Sequence, residues 1–314
     1  MNKLLYKYPL GAFLSAIFLS INIASASANE GYKYSFDPVP QKIAQYTRNT
    51  ATTYLNQGLQ LIQTGRPQDA INAFKQAIQL DPSLAPAYYN LGLALRQVGQ
   101  LQPAADAFYQ ATRVNPKFAL AYANLGGALL EGNNLGQAEN YLQRSLEIDS
   151  KLGVAYYNLG LLHQQKEDCS KAVKSFRKAM KYSNKAPEPA YQIGLCYMQE
   201  RKFKRAKTAF NQAIKMNPKY PEAHYNLGSI LYTQGKHEQA LEAFRKAAEA
   251  DPDYPSAYYG AGLAFIQMKQ FPDAMRVLQY ARDLFLAQNN SQWANNAEQL
   301  MQQAQSFTGS IPPQ

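Results

Sequence analysis

The chain has few of the residues on which most catalytic and metal chemistry rests. Three histidines, two cysteines and one tryptophan stand among 314 residues, and only 17% of the residues are charged. So little cysteine excludes a disulfide-dense scaffold, and no cysteine or histidine falls at zinc-ligand spacing. The glycines are dispersed, which excludes a phosphate-cradling loop. No nucleophile elbow or paired carboxylates are present, so an enzyme is not expected, and neither is a catalytic residue, cofactor or metal. Set against 46% hydrophobic and 12% aromatic residues, the low charged fraction excludes a disordered chain and predicts a folded one.

Long apolar runs are also scarce. The longest, from about Leu10 to Ile23, is shorter than the roughly 20 residues of a membrane-spanning helix. It follows Lys3 and Lys7 and precedes the small residues Ala24, Ala26 and Ala28, an order that predicts a secretory signal over residues 1–28, cleaved after Ala28. Export to a periplasmic or other extracytoplasmic space is the expected localisation, with an uncleaved membrane anchor as the alternative. No cysteine follows the run, so lipid anchoring is not expected. The formal charge of +10 would fall to +8 on losing Lys3 and Lys7. That charge is concentrated: between Lys166 and Lys219 there are 14 basic residues against Glu167, Asp168, Glu188 and Glu200.

What the chain has in abundance is itself, repeated. Glycine recurs every 34 residues at Gly58, Gly92, Gly126, Gly160, Gly194, Gly228 and Gly262. Alanine keeps the same period from Ala70 to Ala274, followed four places on by Phe74, Phe108, Leu142, Phe176, Phe210, Phe244 and Leu278. Each unit shows two stretches of helical periodicity separated by a turn, and most end at Asn-Pro or Asp-Pro, where proline stops a helix. Seven such units fill 51–84, 85–118, 119–152, 153–186, 187–220, 221–254 and 255–288. Residues 29–50 read as a linker with an N-terminal extension of the first helix, 289–306 as a capping helix and 307–314 as a loose tail.

With Tyr88, Leu91, Gly92, Ala104, Phe108, Ala111 and Pro116 at fixed offsets, the units resemble tetratricopeptide repeats. The resemblance covers 238 of the 314 residues. It departs from the pattern at Ala190, which replaces the first aromatic, and at Ser150, Asn184 and Leu286, which replace the terminal proline. The resemblance implies an all-α fold, a right-handed superhelical solenoid with the first helices on a concave face and the second helices on a convex one. It also implies a protein-binding function.

Two rows then share the first-helix face. One is Asn56, Asn90, Asn124, Asn158, Gln192 and Asn226, ending at Gly260. The other includes Tyr89, Tyr157, Tyr191, Tyr225 and Tyr259. Carboxamides match the donor and acceptor of a peptide unit, so the row predicts a groove holding an extended segment of another chain by its backbone. In this it resembles the asparagine ladder of the O-GlcNAc transferases. The alternative is that these asparagines bond the neighbouring repeat's own backbone. A carboxylate clamp of the heat-shock co-chaperone kind is not expected, because its lysines are missing. Lys171, Lys174, Arg177, Lys178, Lys181, Lys204, Arg205, Lys207 and Lys215 fall on second helices and form a basic convex patch. That patch is either a docking site for an anionic membrane surface or acidic partner, or an ordinary solvated face.

His163, His224 and His237 occupy packing slots held elsewhere by leucine, tyrosine or phenylalanine. Cys169 and Cys196 occupy the slots of Leu101 and Ala94, which predicts buried thiols in adjacent repeats that could be close enough to bridge. The expected function is an exported scaffold for protein partners. The alternatives are a membrane assembly factor using the basic face and a non-catalytic subunit of an envelope enzyme. No nucleic-acid partner is expected beside an export signal.

Overall fold

The computed structural model describes residues 41–183 and 186–308. Residues 1–28, read from the sequence as a secretory signal, most of the expected linker, Asn184 and Lys185, and the final six residues lie outside them. Fifteen α-helices and no strand make up the described residues: α1 Gln41–Gln63, α2 Pro67–Leu80, α3 Ala85–Gln97, α4 Leu101–Val114, α5 Ala119–Glu131, α6 Leu135–Ile148, α7 Gly153–Gln165, α8 Cys169–Tyr182, α9 Glu188–Gln199, α10 Phe203–Met216, α11 Pro221–Thr233, α12 His237–Ala250, α13 Pro255–Gln267, α14 Phe271–Ala287 and α15 Ser291–Thr308. The chain divides within α7 into two compact units, one ending at Asn158 and the other beginning at Leu159.

Every repeat is a helical hairpin, and its turn has a fixed backbone requirement. The residue closing each first helix enters the left-handed region: Gly65, Gly99 and Gly235 at φ 72° to 78°, and Asn133, Glu167, Arg201 and Lys269 at φ 57° to 59°. Glycine meets this without strain, whereas a Cβ adds about 1 kcal/mol. At the end of the second helix, an aspartate or asparagine closes an Asx turn on the next strand of chain. Asp81, Asn115, Asp149, Asn217 and Asp251 each accept from the backbone N–H two residues on, at 2.9 to 3.0 Å. Ser183 occupies that slot after α8, and α9 begins one residue later in the repeat than the other first helices.

The repeating glycine records how closely the two helices of a hairpin approach. A Cβ at Gly92 would stand 2.6 Å from the Phe108 ring, and one at Gly126 would stand 2.6 Å from Leu142 Cγ. Phe74, Phe108, Phe176 and Phe210 are fully buried, as is the recurring alanine one turn before each. Ser145 stands in for that series' second alanine and keeps its hydroxyl satisfied by donating to Ala119 O at 2.7 Å. In the second unit, α15 covers the last hairpin. Ala297 and Ala304 join Ala274 and Leu278, with Leu300 and Met301 packed against them. Trp293 stacks on Phe285 at 6.0 Å. Among the described residues no helix is long and apolar enough to cross a membrane.

Candidate functional site

The asparagine row faces inward. Asn90, Asn124, Asn158 and Asn226 are 8%, 6%, 6% and 0% exposed, too little to meet another chain. Asn90 Nδ2 donates to Pro86 O at 2.8 Å, one turn back in its own helix. Asn124 Nδ2 donates to Leu120 O at 3.0 Å and to the Tyr89 hydroxyl of the preceding repeat at 3.3 Å. Asn226 repeats this arrangement with Glu222 O at 2.8 Å and the Tyr191 hydroxyl at 3.2 Å. Asn158 has Ala123 in the tyrosine slot, so its Nδ2 reaches the Ala123 backbone carbonyl at 3.0 Å. Gly127 makes this approach feasible, because a Cβ there would lie 2.9 Å from Asn158 Nδ2. Asn124 and Asn226 thus reach the preceding repeat through a tyrosine hydroxyl and Asn158 through a backbone carbonyl, whereas Asn90 bonds back into its own helix. Only Asn56, which is exposed, and Gln192, which is half-buried, remain open.

The tyrosine row is likewise part of the packing. Tyr157 and Tyr191 are buried, while Tyr89, Tyr225 and Tyr259 are half-buried. Tyr89 lies between Phe108 of its own repeat, 5.8 Å away, and Phe118, which leads into the next repeat, at 5.1 Å. Tyr191 lies between Phe210 and Tyr220, and Tyr225 between Phe244 and Tyr254, at 5.1 to 5.7 Å. Tyr259 meets Phe285 and Trp293 instead. Burial raises the Tyr89 and Tyr259 hydroxyls above their ordinary pKa. Phe118, Tyr220 and Tyr254 went unrecognised in the sequence, although each precedes a first helix at the repeat period.

What the first helices leave open is a different pair of rows. Leu59, Leu93, Leu161, Leu195 and Leu263 are half-buried, and Gln63, Gln97, Gln165 and Gln267, one turn later, are exposed, as is Gln199, whose Oε1 already accepts from Cys169. Both compact units carry this alternation. Between α3 and α5 the face holds one ion pair, in which Arg96 Nε donates to both Glu131 carboxylate oxygens at 2.9 and 3.1 Å and Nη2 reinforces the contact. The Arg96 and Glu131 side chains are 26% and 9% exposed, so the pair is largely withdrawn from water. Glu188 and Glu222, at the starts of α9 and α11, have carboxyls raised above the ordinary range chiefly by burial.

The basic residues lie on α8 and α10 in the second unit, and neither helix contains an acidic residue. Lys171, Lys174, Arg177, Lys178, Lys181, Lys204, Arg205 and Lys215 are exposed, and Lys207 is half-buried. Some of them have local work. Lys171 pairs with Asp168 at 3.1 Å. Arg177 Nη2 donates to the Tyr197 hydroxyl at 3.1 Å, while Arg205 lies 5.8 Å from the same ring's centroid, so Tyr197 of α9 joins the two basic helices. Lys181 lies over the Tyr182 ring.

The histidines fill packing slots. His224 is buried with Nε2 2.9 Å from Pro218 O, and His237 lies edge-on to Tyr232. Cys169 and Cys196 are both buried and both free thiols. No group of metal-ligating side chains is present among the described residues.

Family models described as tetratricopeptide repeat match residues 89–152 and 191–255, residues 154–185 and residues 231–295, and one described as TPR repeat matches 58–99. No curated protein matches the sequence. Among solved structures, the chain is similar to one in the APC/C hetero-tetramer Cut9–Hcn1, with 19% identity and a TM-score of 0.62 over 72% of this chain and 46% of that one. It is also similar to yeast Tom70, with 18% identity and a TM-score of 0.59 over 85% of this chain and 56% of that one. Pseudomonas aeruginosa pilF gives 18% identity and a TM-score of 0.57 over 68% of this chain and 96% of that one. At these identities the likeness is one of fold. The chain thus spans about half the length of the first and second of these relatives.

Proposed function

Since the chain is built of tetratricopeptide repeats, a fold that serves as a protein-interaction scaffold, we propose that it holds an extended segment of a partner protein on the open faces of its first helices. The observation that carries this reading is the alternation of half-buried leucine with exposed glutamine one turn later. A half-open leucine offers apolar contact, and a free carboxamide offers one acceptor and two donors to a peptide backbone. Asn90, Asn124, Asn158 and Asn226 suit that role less well, since they are buried and their Nδ2 groups already donate within the fold. The partner segment favoured by such a face is uncharged and extended, with apolar side chains. Affinity capture with the full chain from its own cells, read by mass spectrometry, tests this. Recovery of the same partner through a peptide of that character supports it, and partners bound only through folded acidic surfaces refute it.

A second reading rests on α8 and α10, whose basic residues face outward without an acid on either helix. Such a face attracts anionic surfaces, with a strength that falls as salt rises. It suits a membrane assembly or anchoring role better than a solvated face with mixed charge would. Vesicles rich in phosphatidylglycerol should sediment the chain at low salt and release it at high salt, and Lys174→Glu with Lys178→Glu should abolish sedimentation. Equal binding to neutral vesicles would refute this reading.

Either role is placed outside the cytoplasm, on the strength of the basic, apolar and small-residue order of residues 1–28. Sequencing the N-terminus of the protein isolated from its cells tests this: Asn29 as the first residue supports it, and an intact Met1 in a cytosolic fraction refutes it.

A further inference from the structure

Cys169 opens α8, and Cys196 lies within α9, the first helix of the next repeat. The Cys169 Sγ donates to Gln199 Oε1 at 3.3 Å. Gln199 follows Cys196 by one turn of α9, so this contact sets Cys169 against the stretch of α9 that carries the second buried thiol. The exposure of the two thiols is unequal. Cys196 is sealed, whereas Cys169 lines a cleft of about 540 Å³ formed with Lys166, Asp168, Ser170 and Glu200.

The position of the pair matters as much as that contact. It spans the α8–α9 junction, where Ser183 replaces the aspartate or asparagine that closes the turn at the other junctions. Elsewhere in the series the Cys196 slot holds Gln60, Ala94, Ala128, Leu162, Ile230 and Ala264, and the Cys169 slot holds Pro67, Leu101, Leu135, Phe203, His237 and Phe271, so neither packing slot itself calls for sulfur.

We propose that Cys169 and Cys196 are a disulfide-forming pair that clasps the fourth repeat to the fifth across this junction. The oxidant enters by the cleft and is a small disulfide such as oxidised glutathione. The Cys169 thiolate attacks one glutathione sulfur, forming a mixed disulfide and releasing one reduced glutathione. The Cys196 sulfur then displaces the second glutathione from Cys169, forming the intramolecular bond. Two protein thiols are oxidised, one glutathione disulfide is reduced to two thiols, and the two protons leave on these. Burial raises both thiols above their ordinary pKa, which lowers the thiolate fraction and makes the exchange slow. The clasp closes a loop of 28 residues and fixes the spacing of the basic helices on either side of α9.

The test uses the purified full chain, reduced and then incubated with oxidised glutathione. The expected product is a monomer that has lost both thiols and yields a Cys169–Cys196 linked peptide on non-reducing digestion. Its melting temperature should rise by about 5 to 10 °C, reversibly on adding dithiothreitol. Cys196→Ala, which installs the residue found in other repeats, should abolish the rise, and the linked peptide of the unaltered chain stands independently of that variant. Two thiols still titrating after oxidation, a glutathione adduct at Cys169 without ring closure, a disulfide between two chains, or an equal rise in the variant would overturn the proposal.

Discussion

Gly127→Ala should change sign depending on what stands at position 158. In the unaltered chain, the new Cβ would lie 2.9 Å from Asn158 Nδ2, well inside contact distance, so the carboxamide must swing away from Ala123 O. Losing that hydrogen bond and crowding a buried polar group costs about 2 kcal/mol. Replacing a helical glycine by alanine returns about 1 kcal/mol, leaving a net loss of about 1 kcal/mol. In an Asn158→Ala background the obstructing carboxamide is gone. All three of the atoms nearest the added Cβ belong to Asn158, and Gly127→Ala should there stabilise by up to about 1 kcal/mol. The coupling between the two positions is therefore about 2 kcal/mol, measurable by denaturant unfolding of all four chains at constant m-value. Effects of Gly127→Ala that agree within about 0.5 kcal/mol in the two backgrounds would refute the claim that Asn158 is spent on the adjoining repeat.

Gly92→Ala should destabilise by about 1 to 3 kcal/mol, because its Cβ meets the buried Phe108 ring; a melting curve checks this. Glu167→Gly should raise stability by about 0.5 to 1 kcal/mol in urea unfolding, since the turn at φ 59° already demands glycine-like backbone. Glu131→Ala should cost about 1 to 3 kcal/mol by strip-ping Arg96 of its carboxylate in a largely buried site, and Arg96→Ala with Glu131→Ala should cost less than the sum of the single changes. The raised carboxyl of Glu222 favours the neutral form in the fold, so its stabilising contribution is complete below the ordinary carboxylate range and is lost as pH rises through the raised value. Glu222→Gln should therefore raise the melting temperature at about pH 7 and leave it unchanged at about pH 3.5, and an equal rise at both would refute this.

The helical hairpins were legible because the period carries the packing. A glycine facing a phenylalanine sixteen residues later is visible as letters, and the helices form around that contact. The direction in which each row turns was less legible. Asn90 and Leu93 both belong to the first helix, and the period groups them without saying which is enclosed. What encloses the tyrosine beside Asn90 is Phe118, a residue of the following junction, and that contact depends on how repeats stack. Substitution along a row gave a usable sign. Where tyrosine becomes Ala123, the next asparagine changes its acceptor, which a row used only by an external ligand would not require. The basic block was legible by composition alone, but the use of Arg177 and Arg205 on Tyr197 was not, because it joins side chains from three helices.

The central claim is that the scaffold captures a polypeptide through its open glutamines and leucines, while its asparagines hold the repeats together. Partner capture by the full chain, compared among Gln63→Ala with Gln97→Ala, Gln165→Ala with Gln267→Ala, and Asn124→Ala with Asn226→Ala, tests it most directly when a melting curve is recorded for each. The account predicts that at least one glutamine pair loses about tenfold in capture at an unchanged melting temperature, whereas the asparagine pair loses stability first. Capture that survives both glutamine pairs and fails in an asparagine pair of undiminished stability would contradict it.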